Sequence, residues 1–120
     1  MINKIMMMLC ILTTPTLSNN QKVDYYQKGV ASYYTTKIGK DTASGEKLND
    51  NLYTAAHKSL PFGTKVKVVC LQTGKSVVVK INDRGPFTKG RVIDLSKAAA
   101  EKIGLIKKGI ATVEIFSHKN

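Results

Sequence analysis

The stretch INDRGPF, residues 81–87, ends an alternating apolar run with an acid, a base and a Gly-Pro corner. Asp83 at that break has two readings. It can cap a surface turn, since Asp, Gly and Pro are ordinary turn residues. It can equally be a carboxylate held at the mouth of a barrel or cleft, where it could give and take a proton. Two more stations carry groups of the same kind: Glu46 closes TASGE, residues 42–46, and His57 closes TAAH, residues 54–57. Each has a plain account as well. Glu46 can be a solvated loop acid, and a histidine is more often a hydrogen-bonded structural group than a catalyst.

These residues matter together only if the intervening elements bring them to one rim. GVASYY (29–34) is a short β-prone run, followed by a long polar segment rich in Gly, Asp, Asn, Ser and Thr (35–51), too long for a mere connection in so small a domain. LYTAAH returns the chain to the core. KVKVVC and SVVVKIN are β-branched runs joined by LQTGK, whose Gly74 suits a hairpin turn. RVIDLS is a further strand, Ser96 can cap a helix over Lys97–Ile103 with Gly104 closing it, and GIATVEIF alternates as a final strand. Six short strands and one helix define a mainly β fold and suit a small closed barrel better than a layered α/β sheet.

The first twenty residues stand apart. Lys4, an apolar run from Ile5 to Leu12 and a polar exit with Pro15 read as a secretory signal peptide over residues 1–18, followed by a linker over 19–28 and the domain over 29–117. The run is too short for stable membrane insertion, and the protein is expected in the periplasm or cell envelope. Lipoprotein anchoring through Cys10 is the minor alternative, because bulky Leu9 precedes it. Removal of the leader leaves Cys70 as the one cysteine, so no internal disulfide forms; its place in KVKVVC marks it as a buried strand residue.

The net charge of +11 calls for an anionic partner or surroundings. The lysines are scattered from Lys22 to Lys119, with no basic helix and no aromatic-rich RNA-binding signature, which argues against nucleic acid and for a wall polymer. Only Arg84 and Arg91 of the 19 basic residues are arginine, which points to places needing a fork of donors: pinning a turn backbone or Asp94, or lining a sugar groove. His57 and His118 are far apart in sequence, and no metal site, cofactor or nucleotide loop is indicated.

GVASYY, TASGE, TAAHKSLPFGTKVKV, VVVKINDRGPF, RVIDLSKAAAEKIG and GIATVEI, in this order, resemble the RlpA-like (rare lipoprotein A) family from Gly29 to about Phe116. The resemblance implies a six-stranded double-psi β-barrel and a lytic transglycosylase acting as a monomer on peptidoglycan glycan strands. Asp83 then matches the catalytic acid, and Glu46 and His57 the other functionally important polar positions. Thr42, Ser44, Tyr34, Arg84, Phe87 and Arg91 are the substrate-contact candidates. The chain departs from the family in having no Trp, so Tyr33, Tyr34, Tyr53 and Phe87 are what remain for a sugar platform.

The chemistry implied needs one carboxylate, where a glycoside hydrolase normally needs two. A protonated Asp83 would donate to the bond oxygen between N-acetylmuramic acid and N-acetylglucosamine. Its carboxylate would then accept the proton of the muramyl C6 hydroxyl as that oxygen closes on C1, giving a 1,6-anhydro end. An acid that keeps its proton is favoured by burial or by a neighbouring anion such as Glu46. Arg84, next along a strand, should face away and hold the presenting loop. The alternatives are a hydrolase using Glu46 as second carboxylate and a non-catalytic, expansin-like wall-binding barrel.

Overall fold

The computed structural model describes residues 23–34 and 40–118. The expected leader and Cys10 lie outside the described residues. Six strands close into a barrel: β1 (Val23–Tyr33), β2 (Thr54–Ala56), β3 (Lys65–Cys70), β4 (Ser76–Asp83), β5 (Arg91–Leu95) and β6 (Ala111–His118), in the order β1-β5-β2-β4-β3-β6. One helix, α1 (Lys97–Lys102), lies between β5 and β6.

The period-2 pattern explains the barrel wall. In β3, Lys65 and Lys67 face solvent while Val66, Val68 and Cys70 are buried. In β4, Val77, Val79 and Ile81 point inward. The two strands form the antiparallel hairpin expected, with Gly74 at φ 74° in its turn. Ile93, Leu95, Val113 and Ile115 complete the interior, and α1 closes it with Ala99 and Ala100. Ser96 caps that helix, its hydroxyl accepting from the Ala99 N–H, and the helical segment ends one residue earlier than the sequence indicates, with Ile103 as its C-cap.

Two parallel pairings, β1 with β5 and β2 with β4, interrupt the otherwise antiparallel wall. The first demands close approach. A Cβ on Gly29 would stand 2.4 Å from Val92 Cγ1, so only glycine lets β1 pass β5 there. Residues 23–28, expected as linker, are instead the first half of β1. Tyr25, Tyr26, Gln27 and Lys28 pair with Ser117, Phe116, Ile115 and Glu114 of β6. Their polar composition hid a strand whose outward face is solvated.

Candidate active site

Asp83 is the last residue of β4, and its carboxylate is gripped by three donors. Tyr34 Oη donates to Oδ2 at 2.9 Å, while the Ala43 and Arg84 backbone N–H groups donate to Oδ1, each at 2.9 Å. Tyr34 follows directly on β1 and is tied to β5 through its N–H to the Leu95 carbonyl at 2.9 Å. Burial raises the Tyr34 phenol above its usual value, reinforced by the Asp83 carboxylate and then by Asp94, so it stays a proton donor to Asp83.

The Ala43 donor is supplied by a turn whose own hydroxyls shape it. Thr42 Oγ1 donates to the Glu46 carbonyl at 2.6 Å and lies 2.9 Å from Ser44 Oγ, which accepts the Glu46 N–H at 3.3 Å. Thr42 and Ser44 thus fold the turn that reaches Asp83. The Ser44 N–H then docks the turn on the Asn82 carbonyl at 3.2 Å.

Glu46 does not stand beside the Asp83 carboxylate. Its oxygens accept from Lys80 Nζ at 2.7 Å and Asn82 Nδ2 at 3.1 Å. Lys80 and Asn82 are two apart on β4, and the strand bulges at Asn82, since Ala55 pairs with Ile81 and the next residue, Ala56, with Asp83. The hydrogen bonds from Lys80, then Asn82, hold the Glu46 carboxyl below the usual carboxylate range. The Glu46 carboxylate is thus engaged by an ion pair with Lys80.

His57 is 2% exposed, and its ring is fully engaged. Nδ1 accepts the N–H groups of Ser59 and Leu60, both at 3.1 Å, which puts the proton on Nε2, 3.1 Å from Gln27 Oε1. The Tyr25 hydroxyl is 3.4 Å from the same nitrogen. Burial lowers the imidazole below its ordinary value, helped by the Arg84 and Lys58 charges. The imidazole touches none of the Asp83 oxygens; the link is the His57 N–H to the Asp83 backbone carbonyl at 3.1 Å.

Both arginines are engaged inside the protein. Arg84 Nη1 donates to the carbonyls of His57 at 3.2 Å and Leu60 at 2.9 Å, and its guanidinium lies 4.1 Å over the Phe62 ring. Arg91 Nη2 pairs with Asp94 Oδ1 at 3.0 Å and bonds Ser32 Oγ, whose hydroxyl donates to the same carboxylate. Phe87 is 84% exposed beyond the cis Gly85–Pro86 bond and joins none of these contacts.

Asp94 is the residue that sequence reasoning left out of the site. Ala56 is the register partner of Asp83 on one side and of Asp94 on the other, which sets the two acids about 10 Å apart, Cα to Cα, across β2. Tyr34 feels both charges. The signal lies in RVIDLS, an acid inside an apolar strand, which the sequence alone marks only as an arginine partner. No group of three or more His, Cys, Asp or Glu side chains among the described residues is arranged to hold a metal ion.

A closed six-stranded barrel with two parallel crossings, presenting carboxylates where β4 and β5 flank β2, defines a double-psi β-barrel with a polar site at its mouth. Residues 26–115 match the family described as lytic transglycolase, and the chain belongs to that family. The endolytic peptidoglycan transglycosylase RlpA of Pasteurella multocida is 50% identical over 101 residues, covering 83% of this chain and 34% of that protein. The probable RlpA of Synechocystis is 57% identical over 88 residues, covering 72% and 27%. The chain thus spans about a quarter to a third of the length of these relatives. Among solved structures, a Streptomyces papain inhibitor is similar at TM-score 0.65 with 21% identity, covering 83% of this chain and 100% of that one. A Clavibacter michiganensis expansin is similar at TM-score 0.64 with 20% identity, covering 80% and 52%. At such identity these two share the fold.

Proposed function

We propose that this domain is a lytic transglycosylase, cleaving the β-1,4 bond between N-acetylmuramic acid and N-acetylglucosamine in peptidoglycan and leaving 1,6-anhydro ends. It acts as a monomer outside the cytoplasmic membrane, where its positive charge favours the anionic wall. The observation that carries the reading is the pair of carboxylates, Asp83 and Asp94, set across β2 about the Tyr34 phenol in a chain of this family.

Asp83 is the acid–base group. As Asp83 donates its proton to the glycosidic oxygen, the C1–O bond breaks and positive charge develops at C1. The muramyl C6 oxygen then attacks C1 and its proton passes to the Asp83 carboxylate, so no water is consumed. Tyr34 and the Ala43 and Arg84 N–H groups fix the carboxylate's orientation, and Asp94, held by Ser32 and Arg91, stands across β2 from it. His57 and Arg84 act as positioning residues, shaping the backbone that presents Asp83.

Incubating the full chain with intact and peptide-stripped peptidoglycan, followed by mass spectrometry, tests this. Anhydro ends are expected. Reducing ends would mean hydrolysis, and retention on the polymer without products would mean an expansin-type wall binder.

A further inference from the structure

The end of the barrel away from Asp83 is built from two loops locked together. The β3–β4 turn, residues 71–75, meets the segment that ends α1 and leads to β6, residues 103–110. Thr73 Oγ1 donates to the Ile103 carbonyl at 2.9 Å, and the Leu71 N–H donates to the Thr112 carbonyl at 3.1 Å. A Cβ on Gly104 would stand 3.3 Å from Thr73 Cγ2, so the loops are in close contact. β4 starts at this end and finishes at Asp83, which puts the acid about 23 Å away along the strand.

The joined loops carry apolar side chains outward. Ile110 is 54% and Leu71 43% exposed, and Ile106 and Lys107 line a shallow hollow of about 360 Å³ beside them. Around these stand exposed Lys75, Lys102, Lys107 and Lys108, against one acid, Glu101. None of the four lysines is in an ion pair among the described residues, whereas at the other end Lys80 is matched by Glu46 and Arg91 by Asp94. Unneutralised cations ringing exposed apolar tips complement an anionic layer with hydrocarbon beneath it. The lysine stems lie along apolar groups while their ammonium heads meet phosphates. A wall polymer fits this end less well, since neither loop contains an aromatic residue for a sugar to stack on. We infer that this end of the barrel is a peripheral docking surface for an anionic phospholipid membrane, entered by Leu71 and Ile110 and held by the four lysines. A domain docked in this way turns Asp83 away from the lipid.

The test is a titration of the full chain with vesicles of phosphatidylglycerol mixed into phosphatidylcholine, and with phosphatidylcholine alone. Binding should be tighter to the mixed vesicles and weaken as salt is raised. Lys107→Ala combined with Lys108→Ala should weaken it about ten- to thirtyfold, and Lys107→Arg with Lys108→Arg should keep it. Every variant carries the same first twenty residues, so the differences report this end of the barrel. In bicelles of the same mixture, nitroxide-labelled lipid should broaden the Leu71, Gly74 and Ile110 amides and spare Ala43 and Asp83. Equal vesicle binding by the double Ala variant, or broadening centred on Ala43 and Asp83, would overturn the inference. So would a double Ala variant that loses retention on peptidoglycan but not on vesicles, which would give this surface to the wall polymer instead.

Discussion

The corner at His57 and the turn at Glu46 present two proton-exchanging side chains that look alike in sequence, each closing a short polar motif ahead of Asp83. The barrel places them in opposite environments. His57 is sealed between Tyr25, Gln27 and two backbone N–H groups, and it reaches Asp83 only through the main chain. Glu46 stands at the surface, held by Lys80 and Asn82 at the edge of an open cleft. The difference teaches that a titratable residue near the proposed acid can serve it in two ways. A buried, saturated ring builds the backbone that holds the acid; an exposed, paired carboxylate remains free to meet a ligand.

That contrast can be broken by substitution, beginning at the residue both regions flank. Asp83→Asn should lower turnover on the order of 10²–10⁴-fold while glycan binding survives, measured as anhydro ends released per unit time. Asp94→Asn should cost less; a larger loss there would exchange the roles of the two acids. His57→Ala should act mainly on folding, lowering stability by about 1–3 kcal/mol in urea unfolding, because a buried ring is lost and two part-buried N–H groups lose their acceptor. If the variant keeps its stability and loses only turnover, the imidazole belongs to the chemistry after all.

The same contrast has a pH signature. His57 is held below its unfolded value, about 6.5, so on acidification the unfolded chain takes up the proton first. Its stabilising contribution is complete above that value and is lost as pH falls below it. Unfolding midpoints should drop between pH 7 and pH 5.5, and His57→Ala should flatten that slope. Glu46, also held down, adds its own loss only below the ordinary carboxylate value of 4.5. Because that ion pair is at the surface, Glu46→Gln should lower stability at neutral pH only slightly and raise KM a few-fold with little change in kcat. The smallest effect is expected at Cys70, 1% exposed in the core: Cys70→Ala should cost about 1 kcal/mol and leave turnover intact.

Much of the barrel was legible because its strands are written in β-branched residues with a period of two. KVKVVC and SVVVKIND state both their conformation and their buried face, and Ser96 announces the helix. What stayed hidden has two physical causes. Tyr25 to Lys28 form a strand without an apolar alternation, since their partners in β6 supply the order and solvent meets one face; a polar run of that kind reads as linker. Contacts across the fold were the other loss. That Glu46 meets Lys80 and Asn82 while Ala43 of the same turn meets Asp83 depends on how the 42–46 turn docks on Asn82, and the shared register of Asp83 and Asp94 about Ala56 exists only once β2 has slipped between β4 and β5. Residue types named the chemistry available; pairing decided which groups could perform it.

The way β1 divides its pairing has a practical consequence. It lies along β6 from Val23 to Ala31 and along β5 from Val30 to Tyr33, so residues 23–28 are what cover the Glu114–Ser117 flank of β6. A fragment begun at Gly29, where the family-like motifs start, would leave that flank as a naked row of N–H and C=O groups. Such a row is a template for strand addition, and two trimmed copies could satisfy it by exchanging strands. Self-association of the shortened chain, reversed by restoring six residues, would therefore report a missing neighbour rather than a native dimer.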